Sequence, residues 1–177
     1  MNFVCRVCRS WILRQRIHAI EPQLQRVAFA WSHDAVLARE LADAAGHRVA
    51  RDLSLFKQGD GLRIALYRAL LDGYRQYQCD YSDVLTFAPA ERMSIARKPM
   101  VSKVRRALSQ LDPEQRLIVA LIDLGGLSYG EIEQVLAISR PTLMKQICSA
   151  RAWLKSQLFD SMTNARVTDK RFLWSSK

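Results

Sequence analysis

GLSYGEIEQVLAISRPTLMKQICSARAWL, residues 126–154, reads as two short helices joined by a tight turn. Ser128 and Glu131 have capping-box spacing, so the hydroxyl can accept from an early helical N–H while the carboxylate reaches back. Ile132, Val135 and Leu136 then share one face. Ala137 and Ile138 make the crossing, and Ser139 is placed to cap a second helix. Pro141 costs little there, because the first N–H groups of a helix have no intrahelical partner. Leu143, Ile147, Ala150, Leu154 and Leu158 form one stripe for packing, which leaves Thr142, Lys145, Gln146 and Ser149 outward. This is the helix-turn-helix plan, whose second helix enters the DNA major groove. Pattern alone does not separate it from an ordinary helical hairpin. Charge moves the balance: 27 Lys+Arg against 17 Asp+Glu give a formal net charge of +10, the expected footprint of a nucleic-acid binder.

Outward from that motif, the composition points to an all-α protein. Hydrophobic residues make up 49%, enough for a core, while seven glycines and five prolines leave long stretches free for helices. No apolar run approaches a membrane span, and Arg6 and Arg9 interrupt the N-terminal apolar stretch, so a cytoplasmic protein without a secretory signal is expected. Cys5 and Cys8 form a CxxC, but no second CxxC or HxxxH completes a zinc site, and His18, His33 and His47 are scattered. No metal and no cofactor are expected. No Ser/His/Asp, Cys/His or paired-carboxylate arrangement and no phosphate-cradling glycine loop suggests an enzyme.

Five segments follow from the pattern: a basic arm over 1–20, a helical domain over 21–80, a linker over 81–101, a helix-turn-helix domain over 102–158 and a basic tail over 159–177. A helix is predicted from Glu21-Pro22 with Leu24, Val27, Ala28 and Trp31 on one face, broken at Ser32-His33-Asp34. A second carries Leu37, Leu41, Ala44 and Ala45, with Gly46 weakening its middle. FKQGDG, residues 56–61, is a loop. Leu62 to Tyr77 is helical again, with Leu62, Leu66, Ala69, Leu70 and Tyr77 inward. In the second half, Val104, Ala107, Leu108 and Leu111 share a helix. Asp112-Pro113 with Gln115 is a strong helix start, and Gly125-Gly126 ends the most apolar segment. The tail is expected to fray.

Longer motifs carry a resemblance. ALSQLDPEQRLIVALIDLGGLSYGEIEQVLAISRPTLMKQICSARAWL resembles the fourth region of bacterial sigma factors. Leu111 to Arg116 match the "LP-x-x-x-R" opening, Gly126, Leu127, Ser128, Tyr129, Glu131 and Ile132 the middle, and Ile138, Ser139, Thr142, Ala150, Arg151 and Leu154 the end. QLQRVAFAWSHDAVLARELADAAGHRVA and FKQGDGLRIALYRALLDGYRQ are similar, more weakly, to region two. The compact layout is similar to the extracytoplasmic-function subfamily. The resemblance implies two small helical domains joined by a linker, with core RNA polymerase, promoter DNA and an anti-sigma factor as partners. It implies that Leu37, Glu40, Leu41 and Asp43 face the polymerase. Arg63, Tyr67, Arg68, Tyr74 and Arg75 would lie near the melted strand, where arginines hold phosphates and tyrosines stack on bases. Arg140, Thr142, Lys145, Gln146 and Arg151 would lie on or beside the recognition helix. Without the resemblance, Tyr67 and Tyr74 at helical spacing read as core aromatics and Leu37 and Leu41 as plain core.

The chain departs from the family at telling positions. Glu40 to Ala44 reads ELADA where DLVQE is usual, Ala65 replaces a Trp, and Asp72 an Asn. Met144, Gln146 and Ser149 stand where cations are frequent, so weaker phosphate anchoring is expected. Two other readings stay open: a helix-turn-helix regulator without polymerase docking, and an adaptor that titrates an anti-sigma protein.

Overall fold

The computed structural model describes the backbone of residues 3–51, 61–81 and 99–171. It holds seven helices among the described residues: α1 (Phe3–Ser32), α2 (Ala35–Arg51), α3 (Gly61–Tyr81), α4 (Pro99–Ser109), α5 (Pro113–Asp123), α6 (Tyr129–Leu136) and α7 (Arg140–Arg171). Of the sequence-based expectations, the loop from Phe56 up to α3, the body of the linker and the side chains of Cys5 and Cys8 lie outside the described residues.

α1 does not begin at Glu21-Pro22. It runs 30 residues with Pro22 inside it, so the arm over 1–20 is helical from Phe3. An interior proline removes one helical bond and crowds the preceding turn, a cost of about 3 kcal/mol. Burial outweighs this. Leu13, Leu24, Val27, Ala28 and Trp31 are buried, with Ile17 and Ile20 packed beside them, one stripe at 3–4-residue spacing that continues straight across the proline. The helix stops at His33, which takes a left-handed backbone (φ 57°) and donates its N–H to the Phe29 carbonyl at 2.8 Å. Asp34 then caps α2 through Val36 N (2.8 Å) and Leu37 N (3.2 Å).

α2 buries Ala38, Leu41, Ala42, Ala45 and Val49. Ala44 is exposed, because the face turned to α1 is set by the 38–42–45–49 spacing. Gly46 does more than weaken the helix. A Cβ there would sit 3.2 Å from Ile17 Cγ2, so its absence lets α1 and α2 approach. α3 closes the layer with Leu62, Leu66, Tyr67, Leu70, Leu71 and Tyr74 buried. Tyr77, expected inward, is only half-buried.

The second half packs α5, α6 and α7 around Leu121, Leu127, Ile132, Val135, Leu143 and Ile147. These residues are continuous with the core of α1–α3 rather than separate from it. A smaller cluster of Leu111, Val119 and Ala150 lies at the other side of α5. α7 continues past 159 to Arg171 instead of fraying there, consistent with the absence of Gly or Pro after Pro141 over that span.

Candidate nucleic-acid interface

The start of α6 is built as its sequence predicts. Ser128 and Glu131 form the full capping box: Glu131 N donates to Ser128 Oγ at 3.3 Å, and Ser128 N donates to Glu131 Oε2 at 2.7 Å. Partial burial alone would raise the Glu131 carboxyl. The Ser128 N–H and hydroxyl, with help from Arg63, outweigh it and hold the group below its ordinary value. Ala137 ends α6 in the left-handed region at φ 55°. Ser139 then pairs its hydroxyl with that of Thr142 at 2.9 Å.

Leu143, Ile147 and Ala150 are buried, which leaves Thr142, Lys145 and Arg151 exposed, with Met144, Cys148 and Ser149, and Gln146 half-buried. Several of these are tethered from neighbouring helices. Arg140 pairs with Glu133 and lies over the Tyr129 ring, 5.8 Å from its centroid. Arg151 is 3.7 Å from Asp123. Gln115 does not fold back on its own cap. Its amide crosses to Gln146 (3.2 Å) and Ser149 (3.3 Å), while Asp112 alone caps α5 through Glu114 N at 3.0 Å. Sequence reading missed Gln115, Asp123, Tyr129 and Glu133 as positioning groups. They act across helix pairs, where no short-range period signals them. Lys145 is an exposed cation that makes no ion pair among the described residues.

The α3 residues are arranged differently from expectation. Tyr67 and Tyr74 are core residues, 0% and 9% exposed, so neither offers a ring to a base in this conformation. Burial raises both phenols above the usual value. The Tyr74 hydroxyl donates to the Trp31 carbonyl at 2.9 Å, and the two rings lie 5.5 Å apart. Arg63 and Arg68 turn to the second half of the chain: Arg63 Nη2 donates to Gly125 O at 2.5 Å, and Arg68 donates to Gln134 O through Nε (2.9 Å) and Nη2 (2.6 Å). Arg75 remains exposed.

On the α2 face, Glu40 and Asp43 are exposed and Leu37 is half-buried. Leu41 is 8% exposed and belongs to the core, since its Cδ2 lies 3.4 Å from where a Cβ on Gly73 would sit. Its spacing with Ala38 and Ala45 turns it to α3, not to solvent.

Comparison with known proteins agrees with this geometry. Residues 102–154 match the family described as Sigma-70, region 4. No curated protein matches the chain. Among solved structures, a chain of the co-crystal structure of the sigma factor RpoE in complex with the anti-sigma factor NepR from Bartonella quintana superposes with a TM-score of 0.67 at 21% identity, over 81% of this chain and 94% of that one. Residues 102–154 are thus similar to sigma-70 region 4, and the chain shares the overall fold of that Bartonella sigma factor.

Proposed function

We propose that the protein binds core RNA polymerase and directs transcription initiation at specific promoters, as a non-enzymatic specificity subunit. The region 4 match over 102–154 carries this reading, supported by the open outer face of α7. In this proposal Thr142, Lys145 and Gln146 address base edges and phosphates in the major groove, with Arg140 and Arg151 at either end. Leu37, Glu40 and Asp43 form the polymerase-facing edge of α2. Arg63, Arg68 and Arg75 hold the melted strand. An anti-sigma protein is a natural antagonist, by analogy with the Bartonella protein solved with one. Among the described residues no helix is long and apolar enough to cross a membrane, which suits work in the cytoplasm.

The test is reconstitution with core polymerase, followed by mapping of new start sites on a genomic library. A stable complex and a defined set of starts are expected. Absence of any complex at moderate salt refutes the reading and favours a regulator without polymerase docking.

A further inference from the structure

Gln146 sits in the second turn of α7, half-buried beside the exposed Thr142, Lys145 and Ser149. The two ends of its side-chain amide differ: one oxygen accepts, and one nitrogen carries two donor protons. Base edges in the major groove tell these ends apart. Guanine offers only acceptors, O6 and N7, and cytosine only the N4 donor, while adenine offers one of each and thymine the O4 acceptor. A glutamine free to turn its amide either way fits any of them and selects weakly.

In this chain the amide is restrained from another helix. Gln115, in the first turn of α5, is itself half-buried. Its Nε2 donates to Gln146 Oε1 at 3.2 Å and to Ser149 Oγ at 3.3 Å. The two protons of one nitrogen therefore go to two residues of α7 that lie one turn apart on the same face. Packing beneath holds the two helices in this register: Val119 of α5 and Ala150 of α7 are buried in one cluster with Leu111. With Oε1 turned to α5, Nε2 is the end of Gln146 left for a ligand. Its orientation is set before any ligand arrives, so less freedom is lost on binding.

We propose that Gln115 is a positioning residue for base selection: it holds the Gln146 amide with Nε2 as the end that meets the DNA, so the base facing Gln146 must present an acceptor, and cytosine is rejected. The base preference rests on the placing of α7 in the major groove under Proposed function. The restraint on Gln146 does not. Gln115→Glu supplies the opposite arrangement. A carboxylate only accepts, so Gln146 must give Nε2 to it and offer Oε1 to the base, which suits the amino groups of cytosine and adenine. A side chain that merely joined α5 to α7 would change affinity for all sequences alike.

The full chain is reconstituted with core polymerase, and its affinity is measured on duplexes carrying each single base-pair change across the upstream element. Gln146→Ala identifies the base pair that Gln146 meets. There the parent is expected to favour guanine over cytosine about tenfold, Gln115→Ala to bring the ratio close to one, and Gln115→Glu to reverse it. A parent that favours cytosine, a ratio that Gln115→Ala and Gln115→Glu leave unchanged, or no base pair affected by Gln146→Ala overturns the base selection. Nitrogen relaxation of the side-chain amides in the free chain tests the restraint without DNA. The Gln146 amide is expected to be ordered in the parent and mobile in Gln115→Ala, and equal mobility in the two overturns the restraint. If no sequence-specific complex forms, the reading under Proposed function fails and takes the base selection with it, while the relaxation measurement still decides the restraint.

Discussion

Lys145→Ala measures how much of the DNA affinity rests on one cation. Arg140, Lys145 and Arg151 are the cations of α7 between residues 140 and 151. If all three neutralise phosphates, log K should fall against log salt with a slope of about −2.7, since each contact contributes about 0.9. That is a loss of about 40-fold between 50 and 200 mM salt. Arg140 and Arg151 already face Glu133 and Asp123, so their share is reduced and the slope lies between about −0.9 and −2.7. Lys145 has no such competitor among the described residues. Its removal should take about 0.9 from the slope and leave a loss near 12-fold at most over the same range. Fluorescence anisotropy with the full chain on a labelled upstream-element duplex, and on a scrambled one, reads both quantities. The affinity loss should be similar on the two sequences, because a phosphate contact carries no sequence information. An unchanged slope, or a loss confined to the cognate duplex, would refute the argument. A slope steeper than about −5 would place other basic residues on the phosphates.

Other expectations concern the scaffold. Ser128→Ala removes the α6 cap and should lower stability by about 1 kcal/mol in denaturant titration. Glu131 has its folded pKa held below the ordinary value of 4.5. Its stabilising contribution is therefore present above about pH 4.5 and is lost as pH falls through the depressed folded value; Glu131→Gln should flatten that part of an acid-unfolding curve. Tyr74→Phe removes the hydroxyl bonded to the Trp31 carbonyl and should cost about 1–2 kcal/mol, read as a lower melting temperature with α-helix content unchanged before the transition.

The elements most legible in the sequence were those fixed locally. Asp112-Pro113, the Ser128–Glu131 box and Gly125-Gly126 announce α5 and α6 because caps and turns depend on residues within one turn of each other. The α7 stripe of Leu143, Ile147 and Ala150 was legible for the same reason. The course of α1 was not. Pro22 reads locally as a start, and only packing of Leu13 and Ile17 against α2 explains a helix that continues through it. The candidate site divides in the same way. The outward set on α7 follows from a 3.6-residue period. The fate of Tyr67, Tyr74 and Leu41 depends on which neighbour covers each face, and a family pattern transferred by position carries no such information. The tethers from Gln115 and Glu133, and the arginines on Gly125 and Gln134, join residues far apart in sequence through main-chain or amide groups that leave no trace in composition.

The two-pronged grip of Arg68 on a single carbonyl has a genetic consequence. A lysine at that position would keep a positive charge within reach of a phosphate, yet it cannot offer the planar fork that spans Nε and Nη2. Arg68→Lys is thus an allele that keeps the charge and loosens the hold on α6.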